Sequence, residues 1–165
     1  MKKFILIVII IIILMIILSM FINKKELIEE KELEDNGKEK FNKLVINEYM
    51  SSNKGTLIDE NGNSYDWIEI YNGKNKDINL KNYGLSDGNK VKWEFPDIVI
   101  KKDSYLIIYL SGKNEEGLHA PFKLSSAGKE QIVLTNSSGK VIDAVDTVPL
   151  TKGQSAARNL EGKWI

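Results

Sequence analysis

The chain contains no cysteine. Disulfide staples and thiolate metal sites are therefore excluded, and the domain must hold itself together through its own apolar core. There is one histidine, His119, in the loop-like stretch Gly117-Leu118-His119-Ala120-Pro121. With no thiol and no second imidazole, a zinc or Cys–His site lacks its usual ligands, and His119 reads as a structural loop residue. No Gly-x-Ser-x-Gly elbow occurs, and Ser125-Ser126 and Ser137-Ser138 stand in turn contexts. A Gly-rich phosphate loop is also missing, Gly84 and Gly88 standing where turns are expected. No catalytic residue is assigned. Neither sign of charge dominates: 23 Lys and Arg face 23 Asp and Glu, and from Phe41 onward the counts are 16 and 16. Binding to a phosphate backbone draws on a basic excess, so no nucleic-acid partner is expected.

What is present falls into three parts. After Met1-Lys2-Lys3, the segment Phe4 to Ile22 is apolar for 19 residues with Ser19 as its one polar interruption. About 20 apolar helical residues cross a bilayer, whereas a cleavable signal has a shorter apolar region and a small-x-small exit. Ser19-Met20-Phe21-Ile22 offers a poor exit, so residues 1–22 are expected to be a retained membrane anchor. Lys2 and Lys3 precede the span and Lys24 and Lys25 follow it. The positive-inside rule leans to an inside N-terminus, which places the bulk of the chain outside the cell. Residues 23–43 are dense in Glu and Lys with no continuing apolar stripe, the composition of a solvated stalk.

From Leu44, residues 44–165 show short apolar runs punctuated by turn residues at intervals of about 8 to 12, the texture of an all-β sandwich. Expected strands are Leu44–Met50, Asp66–Asn72, Asp77–Leu80, Tyr83–Ser86, Val91–Phe95, Ile98–Ile100, Tyr105–Leu110, Gln131–Asn136 and Val141–Val148. The last two form the clearest hairpin, across Ser137-Ser138-Gly139-Lys140. Asp66-Trp67-Ile68-Glu69-Ile70-Tyr71-Asn72 is the cleanest alternation in its half of the domain. Period two places Ile68 and Ile70 on a core face and Trp67, Glu69 and Tyr71 on the other. Trp67 and Tyr71 are thus candidate binding residues. Trp93 and Phe95 share a face that is read as core. Glu48 is phased with Ile46 and Met50, and an unpaired carboxylate in a core is costly. A bulge or a partner is therefore expected there.

The ordered segments also carry a resemblance. Ile46-Asn47-Glu48-Tyr49-Met50-Ser51-Ser52-Asn53 leads to Asp59-Glu60-Asn61-Gly62, then to Asp66-Trp67-Ile68-Glu69-Ile70-Tyr71-Asn72. Leu80, Tyr83, Leu85-Ser86-Asp87, Trp93-Glu94-Phe95-Pro96, Tyr105-Leu106 and Ser111-Gly112-Lys113 follow. Leu118-His119, Phe122-Lys123-Leu124-Ser125, Gly128, Asp143, Ser155 and Arg158 complete the series. From about Leu44 to Trp164 this resembles the bacterial branch of the lamin tail domain family. The resemblance implies an immunoglobulin-like β-sandwich acting as a non-catalytic accessory module, with a protein or surface polymer as partner. It implies no catalytic residues. The family pattern usually continues past the last Trp, so the closing edge strand is expected to be short or absent.

The acidic loop before Asp66 supports two readings. Asp59, Glu60, Asn61, Asn63 and Asp66 lie within eight residues, flanked by Glu48 and Glu69. Calcium takes six to eight oxygen ligands, and Asp59, Asn61, Asp66, Glu48 and Glu69 are its candidate ligands. The other reading is a plain turn at Asp59-Glu60-Asn61-Gly62, with Asp66 accepting backbone hydrogen bonds at the strand entrance. The expected protein is a single-pass, cell-surface binding or structural module, with a surface-polymer hydrolase accessory or a cytoplasm-facing scaffold as the alternatives and calcium the one candidate ion.

Overall fold

A computed structural model describes residues 12–28 and 42–165, apart from 89, 114, 160 and 161. The chain divides into two compact units, Met1–Glu39 and Lys40–Ile165. In the first, residues 12–28 form a helix. The expected anchor, residues 1–22, lies only in part within the described residues: 12–22 are helical, and 1–11 fall outside them. Among the described residues no helix is long and apolar enough to cross a membrane. The first residues of the expected stalk, 23–28, continue the helix, while 29–41 lie outside the described residues.

The second unit is built from strands β1 (Leu44–Met50), β2 (Asp66–Asn72), β3 (Ile78–Asn79), β4 (Gly84–Ser86), β5 (Trp93–Glu94), β6 (Val99–Ile100), β7 (Ser104–Leu110), β8 (Gln131–Thr135), β9 (Val141–Asp146) and β10 (Ala156–Ala157). They form one sheet in the order β10-β1-β2-β7, a second in the order β5-β4-β8-β9, and a two-stranded β3-β6 ribbon. Every pairing between these strands is antiparallel. The core joins Ile46, Tyr49, Ile68, Ile70, Ile108 and Leu110 of the first sheet to Leu85, Ile132, Leu134 and Val145 of the second. This is the β-sandwich that the spacing of runs and turns predicts.

Register explains which side chains enter the core. Ile46, Ile70 and Leu106 form one inward row, and Tyr49, Ile68 and Ile108 the next. Between Ile46 and Glu48 the register of β1 slips by one residue. That bulge reverses the phase of the strand. Glu48 therefore lies opposite Glu69 on the outer face, and Tyr49 turns inward in its place. Tyr49 is fully buried, and its hydroxyl accepts the Val148 N–H at 2.9 Å. The outer rows are Val45–Tyr71–Tyr105, Glu48–Glu69–Ile107 and Met50–Trp67–Tyr109.

Two glycines are fixed by close approach. Gly84 lies in β4, within the expected strand Tyr83–Ser86 and not in a turn, where a Cβ would lie 2.5 Å from Thr135 Oγ1 and 2.7 Å from Val91. Gly128 has φ +68°, and a Cβ there would meet the Val148 carbonyl carbon at 2.6 Å. The β8–β9 turn closes through Asn136, whose Oδ1 accepts from Ser138 N and Lys140 N, both at 3.0 Å. Of the expected strand Val91–Phe95 only Trp93–Glu94 is paired, and the Trp93 and Phe95 rings lie 4.6 Å apart against the core.

The sheets are joined at one edge by charge. Asp143 of β9 accepts the Ile46 N–H at 2.8 Å and both its oxygens face Arg158 Nη2, at 3.2 and 3.1 Å. Arg158 Nε donates to the Ile46 carbonyl at 2.9 Å and Nη1 to the Gly162 carbonyl at 3.1 Å. Its guanidinium also lies 4.8 Å over the Trp164 ring. Strand β10 is two residues long and pairs with β1 at Glu48 and Tyr49.

Two outcomes follow. Ile70→Ala removes a fully buried side chain and should cost about 2–5 kcal/mol, whereas Tyr71→Ala, on the outer face, should shift the denaturation midpoint far less. Arg158→Ala strands a half-buried Asp143 carboxylate and should cost about 2–4 kcal/mol. Urea melts of the full chain measure both losses.

Candidate functional site

The outer face of the first sheet carries the candidate binding residues, and its two ends differ. At the end formed by Tyr71 and Tyr105 the two rings lie 4.7 Å apart, and Tyr105 is 57% exposed. Burial, the Asp103 carboxylate and the neighbouring Tyr105 raise the pKa of the Tyr71 hydroxyl. Trp67, at the other end, points away from Ile68 and Ile70 as alternation predicts, but it is only 6% exposed. Alternation sets the face of a residue but not what covers that face. Met50 beside it is 2% exposed, so this end of the outer face is buried as well.

The loop at residues 51–65 folds back toward that end. Tyr109 of β7 donates its hydroxyl to the Ile58 carbonyl at 2.7 Å. Asn53 holds the loop together, with Nδ2 donating to the Leu57 and Tyr65 carbonyls and Oδ1 accepting the Thr56 N–H. Asp66 fixes its base: one oxygen accepts the Ser52 N–H at 2.6 Å and the other the Leu124 N–H at 3.2 Å. Asp59 closes the tip, accepting from Asn61 N at 3.0 Å, Asn63 N at 2.6 Å and Asn63 Nδ2 at 3.1 Å. Gly62, with φ +80°, completes the turn by donating to the Asp59 carbonyl. Burial pushes the Asp59 carboxyl up, but the Asn63 and Asn61 donors, aided by His119, outweigh it and hold its pKa below the ordinary value.

The structure therefore distributes the candidate calcium ligands. Asp66 is engaged by two backbone N–H groups, and Glu69 accepts from Asn47 Nδ2 at 2.7 Å. Asn61 presents its backbone N–H to Asp59, and Glu48 stands across from Glu69. Among the described residues, no three of Asp59, Asp66, Glu48 and Glu69 bring carboxylate oxygens within reach of one ion. Asp59 instead meets Glu60 and His119, with one ligand atom of each within 4.8 Å of the others.

His119 is the residue that sequence reasoning missed. The expected structural loop residue is 2% exposed. Its backbone bridges Tyr109 in a parallel sense, with Ala120 N–H donating to the Tyr109 carbonyl at 2.8 Å. The imidazole stacks on the Tyr109 ring at 5.3 Å and meets the Tyr65 ring edge-on at 5.8 Å. Nε2 faces Glu60 Oε1 at 3.6 Å and Nδ1 faces Glu115 Oε2 at 3.5 Å. Both separations exceed a normal hydrogen bond, and Nδ1 is buried without a hydrogen-bond partner. Burial and the Asp59 and Glu60 carboxylates raise the pKa of the Tyr109 hydroxyl beside it. The aromatic residues that surround His119 are 54 and 10 positions away in the sequence, so no local motif announces the site.

Glu69 gives a test of the outer face. Burial raises its carboxyl pKa, Asn47 opposes that shift, and the Glu48 charge adds to it. A carboxyl whose folded pKa is raised destabilises the fold as pH rises through the carboxylate range. Like charges directly opposite on neighbouring strands act in the same direction. Glu69→Gln should therefore stabilise the chain at pH 7 by about 0.2–1 kcal/mol and leave it unchanged near pH 3. Denaturation midpoints at the two pH values measure the difference.

Comparison with known proteins agrees with this architecture. The family model described as Lamin Tail Domain matches residues 38–149, more than half of the chain. The match covers β1 to β9 and ends before Arg158 and Trp164. No curated protein matches the chain. By its strand order, its sandwich core and this match, the chain belongs to the lamin tail domain family.

Proposed function

We propose that this protein is a membrane-anchored, non-catalytic module that presents a lamin tail sandwich outside the cell, where it binds a protein or a surface polymer. The observation that carries the reading is the helix at residues 12–28. Ile12, Ile13, Leu14, Met15, Ile16, Ile17, Leu18, Met20, Phe21 and Ile22 are all substantially exposed on it. Over residues 12–22 the helix is apolar on every side but for Ser19, which calls for lipid or protein around it. The sequence extends the same apolar character back to Phe4, giving the length that a bilayer needs. Lys2 and Lys3 ahead of the run favour an inside N-terminus. The exposed Tyr105, with the half-buried Tyr71 ring against it, is the contact surface, since amphipathic aromatics recur at binding hot spots.

Fractionation and protease treatment test the anchor. The protein should stay in carbonate-washed membranes, and protease added to intact cells should degrade the sandwich. A mature N-terminus near Asn23 or Lys24 overturns the retained anchor, and protection in intact cells overturns the outward orientation. For the contact surface, the Tyr71→Ser/Tyr105→Ser double variant should retain its melting temperature and lose at least about tenfold in affinity for the partner.

A further inference from the structure

We propose that Asp59, Glu60 and His119 bind one divalent transition-metal ion of the zinc class, with His119 ligating through Nε2. The three groups come from two separate segments and place one ligand atom each within 4.8 Å of the others. Zinc bonded at roughly 2.0–2.2 Å sets ligand atoms of a tetrahedral site about 3.4 Å apart. His119 Nε2 and Glu60 Oε1 already stand 3.6 Å apart. The remaining closure falls to Glu60, whose side chain is 67% exposed and free to swing, while Asp59 is fixed by Asn61 and Asn63.

A further observation is how deeply the histidine of this set is buried. An imidazole buried to this depth normally has both nitrogens satisfied. Here Nδ1 has no hydrogen-bond partner and Nε2 faces a carboxylate beyond hydrogen-bond distance. A cation on Nε2 fixes the proton on Nδ1, which then points at Glu115 Oε2, 3.5 Å away. That order of groups, carboxylate then histidine then metal, is the usual support of a metal-bound imidazole. One nitrogen and two carboxylates suit a borderline cation better than calcium, which takes oxygen ligands throughout. The ion would tie the tip of the 51–65 loop to the segment running beside β7. A fourth coordination position is left for water.

The single histidine makes the test direct, because every imidazole signal belongs to His119. Untagged, chelator-stripped, isotope-labelled full-length chain in detergent micelles is titrated with zinc and followed by a long-range nitrogen–proton correlation spectrum of the imidazole. Calorimetry supplies the stoichiometry. One zinc per chain should bind, with Nε2 shifted as a metal ligand and Nδ1 protonated. Glu60→Gln, at an exposed position, should keep the metal-free melting temperature and weaken binding at least about tenfold. Millimolar calcium should leave the imidazole signals in place. The proposal fails if zinc at about 100 times a micromolar dissociation constant moves neither nitrogen. It fails equally if Nδ1 is the metallated atom, if Glu60→Gln binds as the native chain does, or if calcium reproduces the zinc shifts.

Discussion

The sandwich depends on how the backbone of Ile46 is satisfied. A bulge in the strand that carries it turns Glu48 outward and Tyr49 inward, which gives the core its largest fully buried side chain. Along the edge of the sheet the Ile46 N–H goes to Asp143 and its carbonyl to Arg158. A buried peptide group left unpaired costs as much as a lost hydrogen bond, so these two side chains stabilise the edge that β10 is too short to cover. The same two residues pair with each other. One ion pair thus joins β9 of the second sheet, β1 of the first and the chain beyond β10.

Much of this was legible in the sequence because period-two alternation and turn chemistry are local signals. The β1 and β2 boundaries coincide with the expected ones, and the β8–β9 hairpin closes where Ser-Gly-Lys stands. Glu48, a carboxylate that simple alternation would put in phase with Ile46 and Met50, marked the bulge. The strand at Ala156–Ala157 was not legible, since two small residues carry no pattern. Gly84 fell within the expected strand Tyr83–Ser86, but its reason did not show: a glycine that avoids Thr135 and Val91 looks the same in sequence as one that makes a turn.

The candidate site was legible only in pieces. The acidic loop stood out by composition, and the structure shows that Asp66 accepts the Ser52 and Leu124 N–H groups while Asp59 accepts from Asn61 and Asn63. Which acids meet is decided by the return of a segment some sixty residues downstream, where His119 lies beside Tyr109. Trp67 illustrates the same limit. Its face was correctly assigned, but its burial follows from that end of the sheet being covered, and coverage is tertiary.

The segment from Leu118 to Ala120 has a second consequence. Strand β7 lies at the edge of its sheet, and an open edge is a template for strand addition by another chain. Leu118 and Ala120 bond to Tyr109 from both sides of His119 and occupy that edge near its end. Peeling this short segment away would bare the Tyr109 backbone while leaving both sheets intact. The hold of a few residues on β7 therefore bears on whether neighbouring copies of the folded domain stay separate or begin to share strands.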